Sequence, residues 1–256
     1  MIARLQTKNG KPYSVAATLA IEGFIQRGYE VVPFDIKDID RIQWQKTEPV
    51  IGGVGTCRRI LEHLGVNWHR DTYPIQLRSH FRRNLSTCKI GELKESDLPV
   101  FIKPTLDTKT FTGFVCKDKY DRRLGNIPPD LDIYKVEVVE FLTEYRVYVL
   151  DGKILNIARY TGPVDHMPDV STIRDMINAM HSTTTEGPIA YSLDVGVLDT
   201  GDTVLVEVND ALSLGNYGLC PALYSKMISA RWLQLVGLSY LEDAEINDSP
   251  SYINAN

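Results

Sequence analysis

A chain of 256 residues, 43% hydrophobic and 24% charged, can form one large domain or two small ones and bury a sizeable core. No window approaches the roughly 18 apolar residues of a membrane span, and the opening MIARLQTKNGKPYS has neither the apolar segment nor the cleavage site of a secretory signal, so the expectation is a cytoplasmic protein without a membrane partner. A net charge of -5 argues against broad nucleic-acid binding, and Cys57, Cys88, Cys116 and Cys220 show no metal spacing and read as reduced structural thiols.

The first 70 residues read as a small α/β unit: a strand over Ile2 to Leu5, a helix from Val15 to Arg27 ending at Gly28, and a strand over Glu30 to Phe34. A second cycle follows, with PVIGG at 49 to 53 as a strand and a helix from Thr56 to Leu64 closed by Gly65. GGVG at 52 to 55 precedes that helix as an anion-binding loop would, but it lacks both the dinucleotide fingerprint and the Lys-Ser/Thr of a P-loop, and a plain tight turn is the favoured reading. Residues 66 to 98 carry little periodicity. Their basic run RSHFRR reads either as a helical face near an anionic ligand or as solvated surface. The five histidines show no ligand spacing.

From Pro99 the pattern sharpens. PVFIKP is a short apolar strand ending in Lys103, followed by the polar loop TLDTKTFTG and another strand. A lysine at a strand end beside a Thr/Gly-rich loop suits phosphate as a point charge, with Lys109, Thr110, Thr112 and Gly113 beside it, although a lone edge lysine is also an ordinary solubility device. Pro128-Pro129 marks a boundary or hinge within the loop from Asp121 to Asp132. Ile133 to Phe141, Glu144 to Leu150 and KILNIARY then read as strands, the last two joined at Asp151-Gly152. Arg146 shares a face with Glu144 and Tyr148, and Arg159 is expected on that face too, as a clamp for phosphate or carboxylate or as a cross-strand ion pair. Ser171 to His181 reads as an amphipathic helix capped by Ser171.

The stretch YSLDVGVLDTGDTVLVEVN, 191 to 209, reads as two strands around an Asp-Thr-Gly-Asp turn. Glu207 and Asn209 lie two apart and share a face, with Asp194 able to face them from the paired strand. Three hard oxygen donors on a rigid sheet suit Mg²⁺, although acidic residues on the outer face of a half-buried hairpin are also commonplace. A loop with two glycines, a helix from Pro221 to about Val236 and the polar tail NDSPSYINAN complete the chain.

In this order FIKP at 101 to 104, the Thr/Gly loop, VVEF and EYRVYV over 138 to 149, DVGV at 194 to 197 and VEVND at 206 to 210 resemble an ATP-grasp enzyme across roughly residues 75 to 237. Lys103, EYR at 144 to 146 and ARY at 158 to 160 make the chain similar to the clade named for two arginines and a lysine. The resemblance implies an α/β (α+β) architecture in which two α+β subdomains clasp ATP. Residues 75 to 240 would form that domain, with lobes meeting near 135, behind a small α/β unit over 1 to 74 and before a tail at 241 to 256. It implies that Lys103, with Lys109 and Thr112 in the loop, holds ATP phosphates, and that Glu140, Phe141 and Leu142 bind adenine through backbone groups. Glu144 would take the ribose hydroxyls, with Glu140 as the alternative. Asp194, Glu207 and Asn209 would hold Mg²⁺, while Arg146 and Arg159 face the γ-phosphate or an acyl-phosphate. The expected activity is an ATP- and Mg²⁺-dependent ligase that activates a small-molecule or peptide carboxylate for attack by an amine or other nucleophile. A phosphotransferase or a non-catalytic nucleotide-binding module is the alternative on the same fold. The chain departs from the better-known ligases in its loop TLDTKTFTG, which is not Ser/Gly-rich, and in its compact front unit.

Overall fold

The computed structural model describes residues 1–105, 110–182 and 187–240. Its first sheet is built on β1 (Ile2–Lys8), which turns back into the short antiparallel β2 (Lys11–Pro12) and runs parallel to β3 (Glu30–Asp35) and β4 (Val50–Ile51). Parallel pairing demands crossovers, and two helices supply them: α1 (Val15–Gln26) and α2 (Val54–His63). The Ser14 side chain accepts from the amide of Ala17 at 3.1 Å and so caps α1. GGVG is a turn into α2, with the Gly53 amide donating to Gln6 Oε1 at 2.7 Å.

The last helix, α4 (Pro221–Leu235), packs across α1. Gly23 permits the close approach, because a Cβ there would fall 1.8 Å from the Pro221 carbonyl oxygen. One apolar core holds Phe24, Trp44 and Leu61 of the front unit together with Tyr224, Met227 and Trp232 of α4, and the Trp232 indole donates to the Lys46 carbonyl at 2.9 Å. The front unit and the C-terminal helix therefore exclude water from one another.

Two antiparallel four-stranded sheets follow. One has the order β5-β8-β6-β7, from β5 (Leu85–Lys89), β6 (Val100–Pro104), β7 (Phe114–Cys116) and β8 (Asp132–Glu137). The other has the order β10-β9-β11-β12, from β9 (Thr143–Leu150), β10 (Lys153–Thr161), β11 (Ala190–Val197) and β12 (Thr203–Asp210). Helix α3 (Val170–His181) lays Ile173, Met176, Ile177 and Met180 against Tyr145, Val147, Leu193 and Val195 on one face of that last sheet. The opposite face packs Tyr148, Leu150, Ala158 and Ala190 into the core shared with the front unit and α4, and carries Arg146 and Asp194 beside them.

Four details differ from the sequence reading. Asp169, not Ser171, caps α3: its carboxylate accepts from the amides of Ser171 and Thr172 and from both hydroxyls, a stronger cap than a hydroxyl offers. The strand expected to reach Phe141 stops at Glu137, and residues 138–142 link the two sheets. RSHFRR is not a helical face. A 3-10 helix ends at His80, Arg82 takes a positive φ of 47° and pairs with Asp202 at 2.8 Å, and Arg83 turns inward. The alternation in β12 is broken by a bulge: Asp194 faces Glu207 but Val195 faces Leu205, so Leu205 packs with the α3 core instead of sharing the face of Glu207 and Asn209. All four cysteines are free, and among the described residues no helix is long and apolar enough to cross a membrane. Lys109 and the polar tail lie outside the described residues.

Candidate active site

Between the second and third sheets lies a slot of about 210 Å³. Phe101, Val115 and Val136 line it from one sheet, Val206 from the other, and Val139 and Phe141 from the linker that joins them. Its walls are apolar and its ends polar, with Glu137 and Glu144 along the linker side and Tyr73, Arg83 and Glu207 also reaching it. The linker is legible in VVEF, and of the residues read for the base Phe141 lines the slot, with Glu137, Val138 and Val139 before it and Glu144 after it. Glu140 is exposed, and the Leu142 amide is bonded to the Val197 carbonyl at 2.9 Å, while the Phe141 ring borders the slot. Gly196 makes room for that ring, since a Cβ on it would fall 2.2 Å from Phe141 Cδ1.

At one end of the slot, groups from both sheets meet. Lys103 on β6 spans the gap, its Nζ 2.8 Å from Glu207 Oε2 and 4.8 Å from the centre of the Tyr73 ring. On β11 and β12, Asp194 stands directly opposite Glu207, and Ser192 opposite Asn209. The Asn209 amide donates to Asp194 Oδ2 and to Glu207 Oε1, each at 3.1 Å, so three oxygen-bearing side chains converge. Burial opposes the charge on Glu207, but the Lys103 ammonium and the hydrogen bonds from Lys103 and Asn209 outweigh it and hold the carboxyl below its ordinary range.

Arg146 on β9 faces Asp194 in register and grips it with both arms, Nε to Oδ1 at 2.8 Å and Nη2 to Oδ2 at 2.6 Å. Its remaining arm donates to the Gly215 carbonyl at 3.1 Å, and the guanidinium lies 4.8 Å from the Tyr217 ring centre. Burial works against this cation, yet the pairing with Asp194 prevails and keeps it protonated above the ordinary arginine range. With its nitrogens turned to Asp194 and Gly215, Arg146 reads first as the support of Asp194.

Arg159 is not brought to this face. It stands opposite Tyr145, whose side chain belongs to the α3 side, and its guanidinium is exposed and bonds the Gly162 carbonyl. The cause is a second bulge, between Ile154 and Asn156, which shifts the register so that Arg159 falls opposite Tyr145 rather than Glu144 and brings Tyr160 to the site's face instead. The Tyr160 hydroxyl donates to Glu144 Oε2 at 2.8 Å and its ring stacks on Tyr217 at 5.1 Å. Burial, then the negative charges of Asp194 and Glu144, raise the Tyr160 phenol well above its ordinary pKa, so it serves as a fixed donor. Tyr160, Tyr217 and Arg83 are the residues the sequence reading left out of the site; a tyrosine beside an arginine in ARY was the available signal for the first. Thr112 is exposed in the loop before β7, and Lys109 lies outside the described residues.

Whether these groups suit a divalent cation is answered by their chemistry. Among the described residues no three His, Cys, Asp or Glu side chains gather as a metal cluster. Two carboxylates and one amide do converge, as the hydrogen bonds of Asn209 show, and turning that amide over would present a third oxygen. Such a set fits Mg²⁺, which takes one or two protein carboxylates and completes its shell elsewhere.

A family model described as an ATP-grasp domain, family 2 of the clade named for two arginines and a lysine, matches residues 80–227. No curated protein matches the sequence. Among solved structures the chain is similar to the D-alanine–D-alanine ligase of Bacillus anthracis, at 13% identity and a TM-score of 0.57 over 92% of this chain and 98% of that one. It is also similar to the D-cycloserine synthetase DcsG, at 12% identity and a TM-score of 0.59 over 91% of this chain and 100% of that one. The ATP-grasp ligase PsnB complexed with minimal precursor matches at 14% identity and a TM-score of 0.52, over 89% of this chain and 98% of that one. At such identities the structural likeness establishes a shared fold. Since the family model covers more than half of the chain, this protein belongs to the ATP-grasp family which that model describes.

Proposed function

We propose that the chain is an ATP- and Mg²⁺-dependent ligase that activates a carboxylate for attack by an amine or other nucleophile. The observation that carries this reading is the meeting of Lys103 from one sheet with Asp194, Glu207 and Asn209 from the other, at the end of an apolar slot between them. The slot suits a flat base. The solved Bacillus anthracis ligase was captured with ATP, and PsnB with Mg and ADP, which supports the same pair of ligands for this chain. Lys103 would leave Glu207 for the phosphates, exchanging one anion for another. Glu207 and Asn209, with Asp194 beside them, would hold the cation, which when bound neutralises charge between phosphate oxygens. Glu144, held by Tyr160, would accept from the ribose hydroxyls.

The substrate carboxylate would attack the γ-phosphorus and release ADP, and the nucleophile would then displace phosphate from the acyl-phosphate. No protein nucleophile is required. The protein contributes position and charge neutralisation, with Lys103 aimed at the phosphates. Incubating an ¹⁸O-labelled carboxylate panel with ATP, Mg²⁺ and amines tests the reaction: the expected result is ADP release with one ¹⁸O carried into inorganic phosphate. A phosphorylated product without ligation would assign the chain to the phosphotransferases instead.

The slot itself has a separate test in Gly196→Ala. The added methyl would push Phe141 into the slot; overpacking of this kind costs about 1–3 kcal/mol, so the unfolding midpoint should fall and ADP should bind the folded protein about tenfold more weakly. Calorimetric titration reads this directly; an unchanged affinity would place the base elsewhere.

A further inference from the structure

The sequence of β12 poses a problem of aim. In a regular strand Leu205, Glu207 and Asn209 share one face, so seating Leu205 in the α3 core would bury Glu207 and Asn209 in the same core. The bulge removes the conflict. Asp194 opposes Glu207 and Val195 opposes Leu205, which leaves Val206 unpaired and turns the two polar side chains to the slot. β12 is the outer strand of its sheet, so carbonyls turned away from β11 have no ladder partner, and a buried orphan carbonyl is costly. One side chain takes two carbonyls in a row: Arg83 Nη1 donates to the Leu205 carbonyl at 2.6 Å and Nη2 to the Val206 carbonyl at 2.8 Å. Successive carbonyls of a regular strand point to opposite sides, so a single guanidinium can reach two in a row only where the strand is bulged.

We propose that Arg83 is a positioning residue whose guanidinium, gripping the Leu205 and Val206 carbonyls, fixes the bulge that aims Glu207 and Asn209 at the cation. Its Nη1 also reaches the Phe81 carbonyl at 3.2 Å, and its plane lies 5.6 Å from the ring centres of Phe81 and Phe141. Phe141 is a wall of the slot, so the same guanidinium ties the seat of the base to the carboxylate that meets the metal. The fork geometry is what matters. Lysine in its place keeps the charge but cannot bridge two carbonyls. This inference rests on the reading of the slot as a nucleotide seat.

The test is calorimetric titration of ADP, with Mg²⁺ and with EDTA, on the wild-type protein, Arg83→Lys and Arg83→Ala. The wild-type protein should bind ADP more tightly with Mg²⁺. In Arg83→Lys ADP affinity in EDTA should itself weaken, because Arg83 borders the slot, and the Mg²⁺-dependent gain should fall about tenfold in addition, as the loss of a bidentate charge-assisted bond predicts. Methylguanidinium, and not methylammonium, should restore the gain in Arg83→Ala. Amide exchange over residues 203–210 should quicken in ligand-free Arg83→Lys with α3 and α4 unchanged, a readout independent of any ligand, and Arg83→Lys carries the test if the alanine variant does not fold. A full Mg²⁺ gain in Arg83→Lys, or equal losses with and without Mg²⁺, would overturn the proposal. Failure of the wild-type protein to bind ADP at all would instead overturn the nucleotide reading beneath it.

Discussion

Arg146→Ala should cost the protein about 3–5 kcal/mol of stability, because it leaves a buried carboxylate without its counter-charge. The side chains of Arg146 and Asp194 are 9% and 5% exposed, and their two hydrogen bonds are 2.8 and 2.6 Å long. Removing the guanidinium also leaves the Gly215 carbonyl with only the longer bond from the Tyr148 hydroxyl, at 3.3 Å, and takes away the cation over Tyr217, so the loop after β12 should loosen. Urea unfolding measures the first effect. A companion variant carrying Arg146→Met with Asp194→Leu should recover most of the lost stability, because apolar replacement of both partners removes the unpaired charge, yet it should remain inactive. A cost below about 1 kcal/mol for Arg146→Ala would mean that the pair is screened as a surface pair is.

Glu207→Gln should separate chemistry from stability. Lys103 and Glu207 retain 15% and 29% side-chain exposure, so losing the ion pair should cost more than the roughly 1 kcal/mol of a surface pair but less than the roughly 3–5 kcal/mol expected for Arg146 and Asp194. Turnover should fall about 10²- to 10³-fold, on the scale of removing one preorganised charge contact from a reacting centre. ADP release in the steady state, set beside the urea midpoint, distinguishes the two. Loss of both in parallel would make Glu207 a structural residue.

Local pattern carried the reading of β9, β11 and β12, because alternation and the turn chemistry at Asp199 to Asp202 are written in neighbouring residues. The pairing of Asp194 with Glu207 follows from that hairpin. What alternation could not supply was the bulges. They moved Leu205 to the core and put Tyr160, not Arg159, on the site's face, and a one-residue offset of this kind leaves no mark in a two-residue period. The Arg146–Asp194 grip escaped for a different reason. Two residues each read as facing a ligand turned out to face one another, since each is the nearest opposite charge in a buried setting. Residues 66 to 98 gave no periodicity because their structure is three short 3-10 helices, a left-handed turn at Arg82 and one edge strand. Arg83 could therefore not be told from its solvated neighbours in RSHFRR. The sharing of one core between the front unit and α4 is a long-range fact that no window contains.

The most direct measurement is thermal unfolding with ATP and Mg²⁺, ATP with EDTA, and no ligand, for the wild-type protein and Glu207→Gln. If the slot seats the nucleotide and Glu207 meets the cation, Mg²⁺ with ATP should stabilise the wild-type protein by about 2.7 kcal/mol at a hundredfold excess over the dissociation constant, and the Mg²⁺-dependent share should vanish in Glu207→Gln. Equal stabilisation of both proteins by Mg²⁺ and ATP, or of neither, would contradict it.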